Sequence, residues 1–196
     1  MFTGIIEEVA TVRAHQGGEL VIMCELIRSD ANLGDSIAVN GVDLTVRTID
    51  DDALRFDIMT ETYRRANLDE LKPGSIVNLE RSVNASTRLS GHIVRGVVET
   101  TCTLDSFTPE GEAIIARYRT DPEFLKFIVM KGPVTVDGVS LTVMARDAES
   151  FSVSLVQYTQ EHTNLTRREP GDRINLETDI FARYVDQLLE ARAATT

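Results

Sequence analysis

Two cysteines, Cys24 and Cys102, are all that this 196-residue chain holds. They are too few and too far apart for a disulfide framework or a cysteine-based metal site. Both read as reduced thiols filling a core in a cytoplasmic protein. Long apolar runs are missing as well. No stretch approaches the ~18 residues of a membrane span, so no membrane association is expected. The opening MFTGIIEEVA lacks the basic-then-apolar order of a secretory signal. Basic residues are scarce, with 20 Lys and Arg against 31 Asp and Glu, a net charge of −11. That balance argues against nucleic acid, whose phosphates need cationic partners, and it has a plain reading as solubility. Hydrophobic content of 42% is ordinary for a globular chain.

The chain is instead built on repetition. Residues 39–80 align with residues 136–177 at a constant offset of 97, and 15 of the 42 aligned pairs are identical. VNGVDLTV answers VDGVSLTV. Thr62, Asn67, Gly74 and Glu80 recur as Thr159, Asn164, Gly171 and Glu177. Upstream, GIIEEVATV (4–12) is echoed by GVVETTCTL (96–104) at an offset of 92. A period this long exceeds the ~20–50 residues of solenoid repeats, so each copy is a domain. The expected units are 1–88, 89–179 and a tail, 180–196, with NASTRLSG (84–91) as linker.

Within each copy, short segments rich in Val, Ile and Thr alternate with Gly, Asp and Asn clusters, which is strand and turn chemistry. An all-β fold follows, a small sandwich or barrel per copy. TDPEFLKFIVMKG (120–132) interrupts the rhythm. Asp121 suits a cap, Pro122 a first turn and Gly132 an end, so a helix is expected there. After residue 178 the period becomes helical: Phe181, Tyr184, Val185, Leu188 and Leu189 form one apolar stripe. The stripe suits docking on its own domain, or pairing with copies from other subunits.

Several segments, MFTGIIEEVA, GDSIAVNGV-LTV (34–46), VNLERS (77–82), GH-V-G (91–96), VDGVSLTV (136–143) and GDRINLETD (171–179), occur in an order and spacing that resemble the riboflavin synthase family and its lumazine-binding relatives. The resemblance implies two tandem six-stranded Greek-key β-barrels, a C-terminal α-helix and a homotrimer formed through that helix. It implies one 6,7-dimethyl-8-ribityllumazine per barrel. The active site would join the N-terminal barrel of one chain to the C-terminal barrel of a neighbour, where one lumazine gives four carbons to another to form riboflavin. No metal or redox cofactor is required; a lumazine or flavin is the bound ligand.

Two positions depart from the family pattern. The first-barrel motif normally carries cysteine where this chain has Asp43, and the second histidine of GH-x-x-x-GH is Val97, leaving His92 as the first. Valine moves no proton, and a carboxylate is a weak base unless it is desolvated. Asp43 and His92 are therefore the candidate catalytic residues. His92 has an equally good reading as a structural linker histidine. The resemblance assigns ligand binding to Thr3, Gly4, Thr45, Met59 and Thr62, and in the second copy to Lys131, Ser140, Thr142, Val156, Gln157, Tyr158 and Thr159. Ser140 and Thr142, two apart on a strand, share a face. The threonines have a structural alternative, satisfying strand edges and turns. Val156-Gln157-Tyr158 replaces a proline-containing family segment and is expected to reshape the pocket. Arg95 is a possible partner for Asp43. His15 and His162 are expected in loops or exposed positions and receive no role. The expectation is a lumazine-binding protein with altered, non-dismutating chemistry. The alternatives are a non-catalytic binder and a genuine riboflavin synthase.

Overall fold

The computed structural model describes residues 1–193. The first half contains β1 Glu8–Gln16, β2 Glu19–Met23, β3 Ser36–Val39, β4 Val42–Ile49, β5 Ala53–Asp57, α1 Thr60–Arg65 and β6 Ile76–Arg81. The second contains β7 Thr100–Glu110, β8 Ala113–Arg119, α2 Pro122–Leu125, β9 Pro133–Val136, β10 Val139–Arg146, β11 Ser150–Leu155, α3 Gln157–His162 and β12 Arg173–Thr178, followed by α4 Ile180–Ala193. Each half closes into a six-stranded antiparallel barrel, in the order β1-β2-β5-β4-β3-β6 and β10-β11-β8-β7-β12-β9. The run β6-β3-β4-β5 is a Greek key: three hairpin-linked strands with the fourth returning beside the first. Register shifts fall at Val46/Thr48 and Val143/Ala145, which are equivalent positions, so even the bulges are duplicated.

Strict alternation decides what faces out. On β4, Val42, Leu44 and Val46 are buried while Asp43, Thr45 and Arg47 are exposed; on β10, Val139, Leu141 and Val143 are buried while Thr142 and Met144 are exposed. Each barrel packs its own core, and each core borrows from the opening segment of the other copy. Val98 packs into the first core and Ile6 against the second.

The barrels meet through a polar network with two-fold pseudosymmetry. The tight turns Asn40-Gly41 and Asp137-Gly138 all have positive φ, the geometry of a two-residue hairpin loop. They touch: a Cβ on Gly41 would lie 2.8 Å from the Gly138 nitrogen. Around them the bonds come in mates. Asn67 N–H donates to Asn175 Oδ1 and Asn164 N–H to Asn78 Oδ1, both at 2.7 Å. Asn78 Nδ2 donates to the Asp137 carbonyl at 2.9 Å, and Asn175 Nδ2 to the Asn40 carbonyl at 2.8 Å. The symmetry breaks at two places: Asn78 Nδ2 also donates to Asn164 Oδ1 at 2.8 Å while its mate from Asn175 to Asn67 Oδ1 is missing among the described residues, and the second break is a charge. Buried Asp137 pairs with Arg168 at 2.5 Å, whereas the equivalents are Asn40 and Leu71.

The helix expected across 120–132 is a single turn. Asp121 stands at its N-cap position without a side-chain cap bond, and past Leu125 the chain tightens into i→i+3 turns, Phe127 N–H donating to Phe124 O and Ile128 N–H to Leu125 O. Leu125, Phe127 and Ile128 are buried, so packing, rather than a helix ladder, holds the segment. α1 and α3 were not anticipated. Each is six residues long, below the length at which periodicity shows. His15 lies in β1, half-buried, bonded to the Leu71 carbonyl and the Tyr63 hydroxyl. Cys24 and Cys102 are free and buried.

α4 turns its polar side to the barrel. Arg183 bonds Glu99 at 2.9 Å and Lys126 bonds Asp186 at 2.5 Å. Its apolar stripe faces away, with Phe181, Tyr184, Val185, Leu188 and Leu189 between 56% and 71% exposed. Docking of the stripe on its own domain is thereby corrected. Residues 194–196 of the expected helix lie outside the described residues. Among the described residues no helix is long and apolar enough to cross a membrane.

Candidate functional site

Two buried glutamates build the site regions. Glu80, at the end of β6, accepts from Thr3 N–H and Thr3 Oγ1, both at 2.7 Å, and from Gly4 N–H at 2.9 Å. Its mate Glu177 accepts from Arg95, Gly96 and Val97 N–H at 2.8, 3.1 and 3.0 Å. Each glutamate holds the opening segment of its own copy so that the segment crosses to the other barrel. There Gly4 O accepts from Ser140 N–H at 2.7 Å, and Gly96 O accepts from Asp43 N–H at 2.9 Å. The approach leaves no room for a side chain. A Cβ on Gly4 would sit 2.5 Å from Ser140 Cβ, and one on Gly96 2.7 Å from Asp43 Cβ. Thr3, expected to bind ligand, is 3% exposed and commits its hydroxyl to Glu80. The repeat alignment contained Glu80/Glu177 as an identical pair, but only the fold shows what they hold.

Burial pushes both glutamate carboxyls up, against the N–H donors that pull them down. A raised folded-state pKa favours folding fully below the unfolded glutamate value of about 4.3. The contribution is lost as pH rises through the folded value. The stability advantage of the unmodified chain over Glu177→Gln is therefore largest near about pH 4 and shrinks towards about pH 7. Urea melts across that range check it; an advantage that grows with pH would reverse the assignment.

The C-terminal site gathers His92 and Ser140. His92 Nδ1 lies 2.7 Å from Ser140 Oγ and Nε2 lies 3.1 Å from buried Thr135 Oγ1. Desolvation lowers the pKa of His92, and Asp179 opposes that. The neutral ring that desolvation favours has one donor and one acceptor nitrogen, which suits two hydroxyl neighbours. Thr142 is exposed on β10, and Lys131 is exposed at a positive-φ turn before β9. Val156 opens α3, whose first turns carry Gln157, Tyr158 and Thr159. Gln157 bonds Glu161 at 2.9 Å, and the Tyr158 ring stacks on His162 at 3.9 Å.

The N-terminal site is a groove of about 430 Å³ lined by Asp43, Thr45, Glu61, Thr62, Arg65, Val97 and neighbours. It continues into a second hollow of about 300 Å³ that adds Arg47, Asp57 and Met59. Neither hollow is lined by β7–β12. Asp43 and His92 are thus not neighbours: they occupy the two pseudo-equivalent places, Asp43 against Gly96 and His92 against Ser140. Arg95 does not pair with Asp43. Its guanidinium is taken by Glu99 at 3.1 Å and Glu177 at 3.5 Å.

The model of the family described as "Lumazine binding domain" matches residues 3–82 and 95–179. Riboflavin synthase of Actinobacillus pleuropneumoniae is 42% identical over 198 residues, covering 99% of this chain and 92% of its own. That of Bacillus subtilis (strain 168) is 38% identical over 193 residues, covering 96% and 90%. In solved structures, LumP complexed with riboflavin superposes with a TM-score of 0.84 at 23% identity, covering 91% of this chain and all of that one, a likeness of fold. With two matched copies and relatives similar along nearly its whole length, the chain belongs to the lumazine binding domain family, as a tandem pair of the kind found in riboflavin synthases.

Proposed function

We propose that the protein binds 6,7-dimethyl-8-ribityllumazine, or a related lumazine or flavin, at its C-terminal barrel and performs non-dismutating chemistry on it. The observation that carries this is the contrast between the two sites. Around Ser140 the hydroxyl and imidazole groups are assembled and oriented. Among the described residues no imidazole lines the groove at Asp43, and Val97, 51% exposed, lines it instead. The C7 methyl of the ligand is acidic in its own right. A base removes its proton, and the C–H electron pair becomes that of an exocyclic enamine. That pair forms a new C–C bond to an electrophile, which accepts the electrons, so no oxidant or reductant is needed. The protein supplies proximity and orientation, worth about 7 kcal/mol or more. Asp43, which lines the N-terminal groove, reaches this chemistry only when a neighbouring chain brings its C-terminal barrel there, and it then serves as hydrogen-bond acceptor towards the electrophile.

A second reading, riboflavin synthase itself, is favoured by 42% identity along 99% of the chain. A third, binding without catalysis, is favoured by the exposure of Asp43, which leaves its carboxylate in water. Mixing the protein with the lumazine separates them. The expected result is a bound lumazine, shown by shifted absorbance and fluorescence, with no riboflavin at an enzyme-like rate. Riboflavin formed at such a rate restores the second reading. A lumazine held unchanged in the presence of candidate electrophiles supports the third. No binding removes all three.

Because neither N-terminal hollow contains residues of the second barrel, two ligands meet only if a neighbouring chain brings its C-terminal barrel. The exposed stripe of α4 and the adjoining groove of about 490 Å³ lined by Phe127, Val129, Phe181, Val185 and Leu189 suit such an assembly, a homotrimer. Val185→Lys with Leu188→Lys is expected to convert the protein to monomer in sedimentation velocity. An unmodified chain that already sediments as a monomer overturns this.

A further inference from the structure

We propose that the N-terminal groove takes a planar cation with N–H donors, a protonated amino-heterocycle, and that the Asp43 carboxylate is its counter-group. This rests on the lumazine reading for the C-terminal barrel and assigns the other reactant's chemical class.

Charge distribution in the groove carries the argument. The neighbouring acids are already neutralised. Glu61 is paired with Arg64 at 3.3 Å and Arg65 at 3.1 Å, and Asp57 with Arg47 at 2.9 Å. Among the described residues the Asp43 carboxylate has no hydrogen-bond or ion-pair partner, and it is exposed. Its backbone is nevertheless fixed in place. β4 carries it, its N–H is bonded to Gly96 O at 2.9 Å, and Gly96 sits against its Cβ. An unpaired anion on a held backbone, beside the hydroxyl-bearing Thr45 and Thr62, is a receptor for N–H donors and positive charge. Val97, 51% exposed and backed by buried Ala66 and Val98, supplies an apolar surface for a ring face, and about 430 Å³ admits a bicycle.

The pseudo-equivalent place has the opposite character. Ser140 is neutral and held by His92. Lys131 has no ion-pair partner among the described residues. That barrel accommodates a ligand that becomes anionic when its methyl group loses a proton, while Asp43 repels such an anion. The duplication has therefore split into two sites of opposite electrostatic preference.

Calorimetric titration of the full chain with 2-aminobenzimidazole below its pKa, and separately with 6,7-dimethyl-8-ribityllumazine, tests the split. The cation is expected to bind once per chain and about tenfold more weakly to Asp43→Asn, without displacing lumazine. Lumazine is expected to bind once per chain, and twice in Asp43→Ser, which copies Ser140 into the first barrel. Cation binding that is absent or unchanged by Asp43→Asn overturns the proposal, as does lumazine filling both barrels of the unmodified chain equally. Lumazine binding nowhere removes the functional reading instead, and the cation titration still decides the role of Asp43.

Discussion

Asp43→Cys combined with Val97→His raises riboflavin formation from 6,7-dimethyl-8-ribityllumazine by about 10²–10⁴-fold over the unmodified chain, the usual contribution of a positioned proton-transfer group. The two positions belong together. Both line the same groove, and the backbone beside each is fixed: Asp43 N–H by Gly96 O, Val97 N–H by Glu177. A histidine introduced at 97 thus starts from a held backbone and reaches into a preformed hollow, and imidazole is the side chain best suited to carry protons near neutrality. Cysteine at 43 removes the unpaired charge and restores the residue that the family pattern has there. Fluorescence of the riboflavin formed, followed over hours, gives the rate. Val97→His alone separates the proton carrier from the change of charge. If the double variant gains nothing, the divergence lies deeper. The first place to look is α3, where Tyr158 stacked on His162 replaces the i,i+4 ion pair Glu61–Arg65 of the first barrel.

Much of this fold was legible in the sequence because duplication and alternation are local signals. Val42, Leu44 and Val46 read as one face of a strand, and the structure buries all three. The 97-residue offset marked Asn67/Asn164 and Glu80/Glu177 as recurring, yet it gave no reason for them. Their partners lie far away in sequence: Asn67 meets Asn175, and Glu80 meets Thr3 and Gly4. The same limit explains Arg95. Beside a lost histidine it suggested a bond to Asp43, but the crossing of opening segments sends only the backbone of Gly96 to Asp43 and leaves the guanidinium with Glu99 and Glu177. Asp43, a departure from the family pattern, and His92, retained from it, were the two catalytic candidates, and nothing in their sequence positions said how far apart they lie. Chain crossing places them at two sites. The outward stripe of α4 was visible as a stripe. Its direction was set by Arg183 and Lys126, whose ion pairs turn the polar side inward.

The barrel interface sets the second large expectation. Asp137→Asn is expected to destabilise the chain by about 3 kcal/mol, because it leaves Arg168 charged and unpaired at a site that is mostly buried. Arg168 keeps 19% side-chain exposure against 0% for Asp137, which places the cost towards the lower end for a broken buried pair. In a chain of this size that corresponds to a melting shift of about 6–12 °C. The first barrel already contains the remedy. Its equivalents are Asn40 and Leu71, a neutral pair that fills the same place without charge. Asp137→Asn with Arg168→Leu therefore recovers most of the loss, since well-packed neutral groups replace buried ion pairs at little or no cost. A single variant within about 1 kcal/mol of the unmodified chain, or a double variant no better than the single, shows that the ion pair is not what holds the interface. The consequence reaches both sites at once. Ser140 is completed by Gly4 and Asp43 by Gly96, each delivered by the opening segment of the other copy. Loosening of the Asn40–Asp137 contact moves both deliveries together, so ligand affinity at both sites falls with the stability of the single variant and returns with the double.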